Sequence, residues 1–459
     1  MGLRFKAYDR DQAFLLPPSL RDWLPEGDLA FFIIDVVDQL DLGALYRHYE
    51  VAEATETTRE RRKAASGQPA FHPKMMVALV LYAYCNGTPS SRRIARLCER
   101  DAGYRVVSAD QQPNFRTISE FRRLHLEALS GLFVQVLHLA REAGLVKLGH
   151  VALDGTKVKA NASKHKAMSY ARMQEKEAQY VREIEGLLKR AEEADTAEDG
   201  LYGNDRRGDE LPRELQFRET RRKKIREAKQ ALEEAAQEKA RAEGKLDENG
   251  DPKPPKRGRP PATPPGTPKP KDQRNFTDPD SRIMKMNHKG FDQAYNCQAA
   301  VDSKSQIIVA REVTNAANDK QQVEPLVEQV KANLGETPKR ASGDSGFYSE
   351  ANVRYLREEE IDDYLCPDRL KHGEAKPAVR GRIPKDLSFI DRVRRKLLTK
   401  QGRQVYGLRK QIVEPVFGQI KQGRGLRQFL LRGLDKVDGE WSLWCTGHNL
   451  LKVWAATSG

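Results

Sequence analysis

A change of composition between residues 164 and 274 limits how this chain can fold more than any other feature. Residues 164–247 are dense in Glu, Lys and Arg, and their apolar residues recur near heptad spacing on both sides of a break that ends at Pro212. This pattern predicts an inserted hairpin of two antiparallel, charged helices that protrudes from the molecule. A hydrophobic core must therefore be assembled from the chain before and after this insertion.

A tract rich in Pro, Lys and Arg follows the hairpin at residues 248–274. Such a composition cannot bury a core, so we expect an extended, polyproline-like tether. Arg257, Gly258 and Arg259 lie within a Lys-Arg-Gly-Arg-Pro segment that resembles the AT-hook. In that motif the Gly lets the backbone enter the narrow A·T minor groove while the Arg side chains lie along its floor. The alternative is a chance match within a basic linker.

The charge of the chain favours a polyanionic partner. The 459 residues include 80 Lys and Arg against 66 Asp and Glu, which gives a formal net charge of +14. Double-stranded DNA is the first candidate, because phosphate neutralisation by basic side chains supplies most non-specific affinity. For the inserted hairpin, dimerisation, DNA clamping and simple spacing are three open roles.

Cysteine usage and hydropathy favour a soluble intracellular protein. The five cysteines are scattered and form no CxxC pair, so neither a zinc site nor a disulfide framework is indicated. The first residues include no apolar signal segment, and the longest apolar run, from Met75 to Cys85, is too short to span a bilayer. We therefore expect a cytoplasmic, nucleoid-associated protein that makes no membrane contact.

Residues 1–143 are expected to form an all-helical, DNA-binding N-terminal domain. Apolar residues at helical spacing predict helices over residues 28–41 and 73–86. Another helix begins near residue 88. After a loop, the next is predicted to begin at Thr117, because Glu120 three residues later completes a capping-box pattern.

Basic residues cluster near the start of this last helix, namely Arg116, Arg122 and Arg123. Two successive helices with such a cluster indicate a helix-turn-helix-like reader of DNA. The connecting loop is longer than the usual tight turn, so a helical bundle with a solvated basic face is an equal alternative.

Two acidic residues, Asp154 and Asp344, end short strand-like runs; Gly155 follows the first directly, and Gly343 and Gly346 flank the second. Residues 146–154 form an aliphatic run that ends in Asp154, with Gly155 next, and residues 339–343 are followed by Asp344. A strand that ends in this way places a carboxylate at the rim of a sheet, with space beside it. For Asp154 the alternative is an ordinary Asp-Gly turn between strands.

The chain from residue 275 to residue 459 alternates strand and helix patterns. An antiparallel hairpin is predicted over residues 291–314, and Asp319 is predicted to cap the helix that follows. Further strands are expected at 339–343 and 363–366. With residues 144–163 as the first part of the core, this order predicts an α/β protein with an RNase H-like catalytic core, an all-helical N-terminal domain and the inserted hairpin and tether.

A third acid, Glu414, lies in a basic segment near the end of the chain. Pro415 follows it directly, so we expect the helix either to kink there or to restart with Glu414 as its cap. In a continuous helix Lys410 and Lys421 would share the face of Glu414, and Arg409 would point away from it.

The chain resembles bacterial insertion-sequence transposases of the DDE superfamily. The first two acids lie in Ala-Leu-Asp-Gly-Thr and Gly-Asp-Ser-Gly-Phe-Tyr-Ser segments like those of the family. Tyr406, Arg409, Glu414 and Lys421 match the family's Tyr-Arg-Glu-Lys signature. Four residues separate Arg409 from Glu414 where the usual signature has three, so Lys410 is an alternative for the arginine position.

This resemblance implies a function and a set of site residues. Asp154, Asp344 and Glu414 would bind two catalytic Mg²⁺ ions, with Mn²⁺ as a substitute, because two-metal phosphodiester cleavage needs hard oxygen ligands. The tyrosine, the basic residues of the signature and Lys410 would contact the phosphates of transposon ends. The implied enzyme binds terminal inverted repeats as a homodimer, hydrolyses DNA and transfers the 3′-OH strand. The alternatives are a catalytically silent DNA-binding regulator and an RNase H-like nuclease without strand transfer.

Overall fold

The computed structural model describes residues 19–47, 70–202, 213–247, 250–253, 262–286, 290–368, 379–382, 384 and 386–457. The AT-hook-like residues Arg257, Gly258 and Arg259 lie outside these ranges. None of the helices in the described ranges is long and apolar enough to cross a membrane.

The N-terminal part of the chain is helical. Its helices are α1 (Leu29–Gln39), α2 (Pro73–Cys85), α3 (Ser91–Arg100), α4 (Ala102–Val107), α5 (Phe115–Leu124) and α6 (Leu126–Glu142). Two sequence-based expectations for this part were wrong. The short helix α4 occupies what was expected to be a loop between α3 and α5. Helix α5 begins at Phe115 rather than Thr117, because the Asn114 side chain accepts hydrogen bonds from the backbone N–H groups of Arg116 and Thr117.

A six-stranded mixed sheet forms the centre of the molecule. Its strands are β1 (Val151–Lys159), β4 (Arg282–Lys285), β5 (Phe291–Asp302), β6 (Ile308–Thr314), β7 (Arg340–Gly343) and β8 (Asp362–Leu365), while β2 (Ala167–Ser169) and β3 (Gln273–Asn275) form a separate pair. One edge of β5 pairs with both β4 and β6, and its other edge pairs with β1. The pairs β1–β7 and β7–β8 are parallel, so among the strands that the described residues contribute to this sheet, β5 alone runs in the opposite direction.

The first strand is displaced from its predicted position. The apolar pattern predicts a strand that ends at Asp154, but β1 begins at Val151 and continues to Lys159. Antiparallel pairing with β5 extends along all of β1 and supplies the backbone hydrogen bonds that hold these later residues in the sheet. Parallel pairing with β7 stops at Ala152, so the two strands separate just before Asp154.

The remaining helices surround this sheet. They are α9 (Val323–Leu334), α10 (Glu350–Glu358), α11 (Phe389–Leu398), α12 (Lys400–Gly418) and α13 (Leu434–Thr457), and a π-helical turn (Gln419–Gly423) follows α12. Helix α13 connects the N-terminal helices to the sheet. Trp441 donates from Nε1 to the carbonyl oxygen of Gln298 in β5, and Ser442 donates from Oγ to the carbonyl oxygen of Ser130 in α6. Buried side chains of both regions form one continuous core.

The insertion contains two long helices, α7 (Tyr170–Tyr202) and α8 (Arg213–Ala242). They run antiparallel, as their ion pairs show: Lys229 contacts Glu177, and further along the hairpin Arg218 contacts Glu183, each at 2.9 Å. A small separate apolar cluster of Met173, Ile225 and Ala228 lies at the base of the hairpin. Most of the exposed residues in the described parts of the two helices are polar, as the charged composition requires.

Helix α12 continues through Pro415, so the restart with Glu414 as a cap, one of the two alternatives expected from the sequence, is wrong. Proline has no N–H to donate to the carbonyl oxygen of Gln411, which is the helical acceptor four residues earlier. That carbonyl oxygen instead accepts a hydrogen bond from Nε2 of Gln306 at 2.9 Å. The missing helical hydrogen bond is therefore replaced by a side chain from the β5–β6 turn.

Candidate active site

Asp154 and Asp344 lie where β1 and β7 separate. The last parallel pair joins Ala152 to Ser342. Asp154 follows Ala152 by two residues, and Asp344 follows Ser342 by two residues. Asp344 comes directly after β7, and its Oδ1 accepts a hydrogen bond from the backbone N–H of Gly346 at 2.8 Å. Two carboxylates from different parts of the sequence are thereby brought to one gap in the sheet.

The Asp154 carboxyl has unusual electrostatic surroundings. Burial raises its pKa to about 7; the Arg409 guanidinium opposes this shift, and the charge of Asp344 adds to it. Arg409 Nη1 lies 3.2 Å from Asp154 Oδ2, and the Tyr406 ring lies 5.8 Å from the guanidinium carbon. A carboxylate held near a second carboxylate, with one cation partner, is a typical arrangement for binding further positive charge.

Helix α12 turns Arg409 toward the sheet and Glu414 away from it. Arg409 is 7% exposed, like the apolar residues Ile412 and Val413 that pack on the same side, whereas Lys410 and Glu414 are exposed. The structure thus brings Arg409 to Asp154, so its guanidinium is a buried ion-pair partner rather than an exposed phosphate contact. It does not bring Glu414 there.

Among the described residues, no group of three or more His, Cys, Asp or Glu side chains is close enough to hold one metal ion. The three expected metal ligands, Asp154, Asp344 and Glu414, are therefore not assembled into one ligand set here. Asp154 and Asp344 nonetheless fit a Mg²⁺ ion, which takes one or two protein carboxylates and fills its other positions with water and phosphate oxygens.

The other residues of the signature lie along the same helix. Lys421, in the π-helical turn, donates from Nζ to Thr156 Oγ1 at 2.9 Å and to the carbonyl oxygen of Lys157 at 3.0 Å. Burial lowers the pKa of this ammonium group. Tyr406 is half-buried, and burial raises the pKa of its hydroxyl. Lys421 and Tyr406 thus border the gap that contains Asp154, whereas the exposed Lys410 faces solvent.

The three arginines proposed for the N-terminal domain have different environments. Arg122 is buried, and its guanidinium donates to Pro89 O and to Ser91 Oγ, at 2.5 and 2.7 Å. These internal acceptors occupy its guanidinium, and the expected role of this residue in DNA binding stays a prediction. Arg123 is exposed and ion-paired with Glu120. Arg116 is exposed beside Phe115.

A basic surface that the sequence analysis did not assign lies next to Arg116. The guanidinium carbons of Arg92, from α3, and of Arg116 lie 5.2 and 5.9 Å from the centre of the Phe115 ring. Helix α3 also exposes further arginines along the same helix, namely Arg93, Arg96 and Arg100. The signal was present in the sequence, since buried Ile94 and Cys98 alternate with these basic residues at helical spacing.

A second basic surface lies at the far end of β1 from Asp154. A cavity of about 620 Å³ opens there. Its basic lining residues are Lys159, Lys164, His165, Lys166 and Arg432. Asp292 also lines the cavity and lies 3.7 Å from Lys159. This groove continues along β1 from the position at which Lys421 contacts the strand.

Asp319 was predicted to cap a helix, and this prediction was wrong. Helix α9 begins at Val323 with Gln322 at its cap position. The Asp319 Oδ1 atom instead accepts hydrogen bonds from Asn296 Nδ2 and Gln298 Nε2, at 2.7 and 2.6 Å. The available signal was the pair of amide side chains two residues apart, Asn296 and Gln298, among apolar residues in the middle of strand β5.

Comparison with family models gives two matches at separate parts of the chain. Residues 366–454 match the model described as Transposase DDE domain, and residues 18–124 match the model described as Transposase domain (DUF772). The chain has no significant match among curated proteins or among solved structures. The first matched segment includes α12, and the second includes helices α1 to α5. Together, the two matches support an insertion-sequence transposase.

Proposed function

We propose that this chain is the transposase of an insertion sequence. It binds terminal inverted repeats, hydrolyses a phosphodiester bond at each end with Mg²⁺, and joins the freed 3′-OH to target DNA. The observation that carries this proposal is the meeting of Asp154 and Asp344 at the gap between β1 and β7, in a chain that matches two transposase domain models.

The topology supports an RNase H-like catalytic core. The strands follow the order β6–β5–β1–β7–β8, with β5 alone antiparallel to the rest, and helices α9 and α10 connect β6 to β7 and β7 to β8. Parallel connections of this kind place the ends of β1 and β7 side by side. The two acids therefore lie where a duplex laid across the sheet edge would expose its backbone.

Asp154 and Asp344 are the residues that would hold the divalent metal. Metal ions bound there would activate the attacking oxygen and stabilise the leaving oxygen of the phosphodiester. Arg409 keeps the Asp154 carboxylate oriented and favours its ionised form. We retain Glu414 as a proposed third ligand, supplied from the exposed face of α12 when DNA is bound.

DNA would be held by basic residues on both sides of these acids. Lys421 anchors the π-helical turn to β1, and the groove containing Lys164 and Lys166 extends the positive surface beyond it. The Arg92 and Arg116 surface of the N-terminal helices is a separate candidate for terminal-repeat binding. Such phosphate contacts would supply salt-dependent affinity for DNA and would fix the position of the duplex on the protein. The scissile phosphate would thereby be placed at the two acids.

Strand transfer separates this proposal from the nuclease alternative. The protein is incubated with Mg²⁺, a labelled duplex ending in the inverted repeat that flanks the gene, and a supercoiled plasmid. The proposal expects labelled duplex joined to plasmid, and complexes that contain two protein copies and two ends by light scattering. Cleavage of the duplex with no joined product would favour a nuclease, and binding without cleavage would favour a regulator.

A further inference from the structure

Helix α8 of the inserted hairpin has an excess of positive charge. Residues 216–230 contain seven Lys and Arg against two Glu, whereas residues 170–189 of α7 contain four basic and four acidic residues. Some cations of α8 are ion-paired with α7, as Lys229 is with Glu177. The run from Arg221 to Lys224 differs, because no carboxylate in the described ranges lies within ion-pairing distance of its four side chains. This run therefore keeps its charge for solvent or for a partner.

Part of this charge lies on one face of α8 together with an aromatic ring. Phe217, Arg221 and Lys224 are separated by four and three residues, which places them on the same face of the helix. All three are exposed, Phe217 to 56%, and the guanidinium carbon of Arg221 lies 4.5 Å from the centre of the Phe217 ring. This cation–π contact holds the guanidinium at the helix surface. We call these three residues the α8 basic face.

The α8 basic face begins close to the basic groove at the end of β1. Lys224 directly precedes Ile225, which belongs to the small apolar cluster at the base of the hairpin. Met168 of β2 and Phe276 pack against that cluster, and the Phe276 N–H donates to the carbonyl oxygen of Lys166, a residue that lines the groove. The face extends from this cluster along roughly 10 Å of helix, at about 1.5 Å per residue. One short segment of the fold thus joins the two basic surfaces.

We propose that the α8 basic face binds the phosphate backbone of a DNA duplex, so that the inserted hairpin is a second DNA-contacting arm. A polyanion matches a helix face with unpaired cations, because like charges three residues apart destabilise a helix and phosphates neutralise them. A second copy of the hairpin matches this surface less well. Pairing of two charged helical hairpins needs an apolar seam, and in the described part of the hairpin only Leu188 and Phe217 are large, exposed apolar residues.

This inference rests on the DNA-binding part of the proposed function. Its test measures how duplex binding by the full-length protein depends on salt, using the fluorescence anisotropy of a labelled duplex. Arg221→Gln/Lys224→Gln removes two cations and keeps good helix formers. We expect the slope of log K against log salt to decrease by about 0.9 for each phosphate that is no longer neutralised. Arg182→Gln/Lys189→Gln, at two exposed cations of α7, removes the same charge and should keep the wild-type slope.

A second variant separates charge from helix disturbance. Arg221→Lys/Lys224→Arg exchanges the two cations and should also keep the wild-type slope. If it loses as much slope as Arg221→Gln/Lys224→Gln, or if the α7 control does, the role of the α8 basic face is overturned.

The remaining outcomes distinguish this inference from the proposed function. If Arg221→Gln/Lys224→Gln keeps the wild-type slope while the wild type joins labelled duplex to plasmid, the transposase stands and the DNA-contacting arm is overturned. If the slope is unchanged but the mass by light scattering falls, the face is a contact between subunits instead. A wild type that binds no duplex would overturn both proposals.

Discussion

Gln306 donates a hydrogen bond from Nε2 to the carbonyl oxygen of Gln411, at 2.9 Å, and this is the carbonyl that Pro415 leaves without a helical donor. Gln306 is itself held in the left-handed region, at φ 60°, and its Oε1 accepts a hydrogen bond from Lys452 Nζ. The β5–β6 turn thus stabilises the stretch of α12 between Arg409 and Pro415, whose register places Arg409 at Asp154.

A double-mutant cycle measures this relationship. Gln306→Asn tolerates the left-handed backbone but is too short to reach Gln411, and Pro415→Ala restores the helical N–H. We expect Gln306→Asn to lower the free energy of unfolding by about 1 kcal/mol more in the wild-type background than in Pro415→Ala, the usual net value of one hydrogen bond. The hydrogen bond with Lys452 is removed in both backgrounds, so its effect cancels. The free energies of unfolding are measured in urea. Equal decreases in the wild-type and Pro415→Ala backgrounds would show that the Gln306–Gln411 hydrogen bond does not stabilise the helix.

The Arg409 guanidinium is expected to set the pH at which Asp154 becomes available to a metal. The pKa of the Asp154 carboxyl is about 7, and Arg409 opposes the rise caused by burial. Removing the guanidinium in Arg409→Gln should raise that pKa further, so the pH midpoint of Mn²⁺ binding should move upward. Lys410→Gln, at the exposed neighbouring cation, is the control and should leave the midpoint in place. Identical midpoints in all three proteins would contradict the pairing of Arg409 with Asp154.

Glu440 gives the fold a pH-dependent stability. It is buried in α13 and accepts hydrogen bonds from the backbone N–H groups of Leu430 and Leu431, and burial raises its pKa from 4.5 to about 7. Because the folded-state pKa is the higher one, the stability it contributes is full below about pH 4.5 and is lost as the pH rises to 7.

A comparison with Glu440→Gln isolates this effect. Between pH 4.5 and pH 7.5 the wild type should lose about 3 kcal/mol of unfolding free energy relative to the variant, at 1.36 kcal/mol per pKa unit. Urea unfolding across this range gives the difference directly. The exposed Glu358→Gln should run parallel to the wild type. If the difference in unfolding free energy between the wild type and Glu440→Gln does not change with pH, the pKa of the Glu440 carboxyl is not raised by folding.

The basic groove at the end of β1 should bind DNA phosphates without reading sequence. Replacing Lys164 and Lys166 with Gln should weaken binding to all duplexes alike and reduce the slope of log K against log salt by about 0.9 for each phosphate that is no longer neutralised. Lys339→Gln, at an exposed cation just before β7, is the matched control. An unchanged salt slope in the double variant would exclude the groove from the DNA path.

The sequence predicts one half of the candidate site better than the other. Asp154 and Asp344 could be found because a strand-like run that ends in an acid with glycine nearby is a local pattern. The orientation of α12 could not be predicted, because Pro415 made it uncertain whether the helix continues. The donor that replaces the missing hydrogen bond is over 100 residues away in sequence, at Gln306. The contacts of Asp319 could not be predicted for a related reason: its hydrogen-bond partners are amides on β5, and only the folded sheet brings them to it.

Buried arginines mark a second limit of sequence reasoning. Arg122 and Arg123 are adjacent in the same basic cluster, yet the first is fixed by internal acceptors and the second is exposed. The helical spacing of Ile118 and Phe121 indicates which face of α5 is apolar. It does not show that Pro89 and Ser91 from the preceding segment satisfy a guanidinium there. Neighbouring tertiary contacts decide such cases.

The most direct test of the central claim is metal-dependent cleavage of terminal-repeat DNA by Asp154→Asn and Asp344→Asn. With Mg²⁺ and a labelled terminal-repeat duplex, the wild type should release a product with a 3′-OH at the repeat end. Each variant should cut at least about 1,000-fold more slowly, a loss of roughly 4 kcal/mol of transition-state stabilisation, while binding the duplex with near wild-type affinity. Mg²⁺-dependent cleavage at the wild-type rate by either variant would contradict the assignment of these two carboxylates to the catalytic metal site.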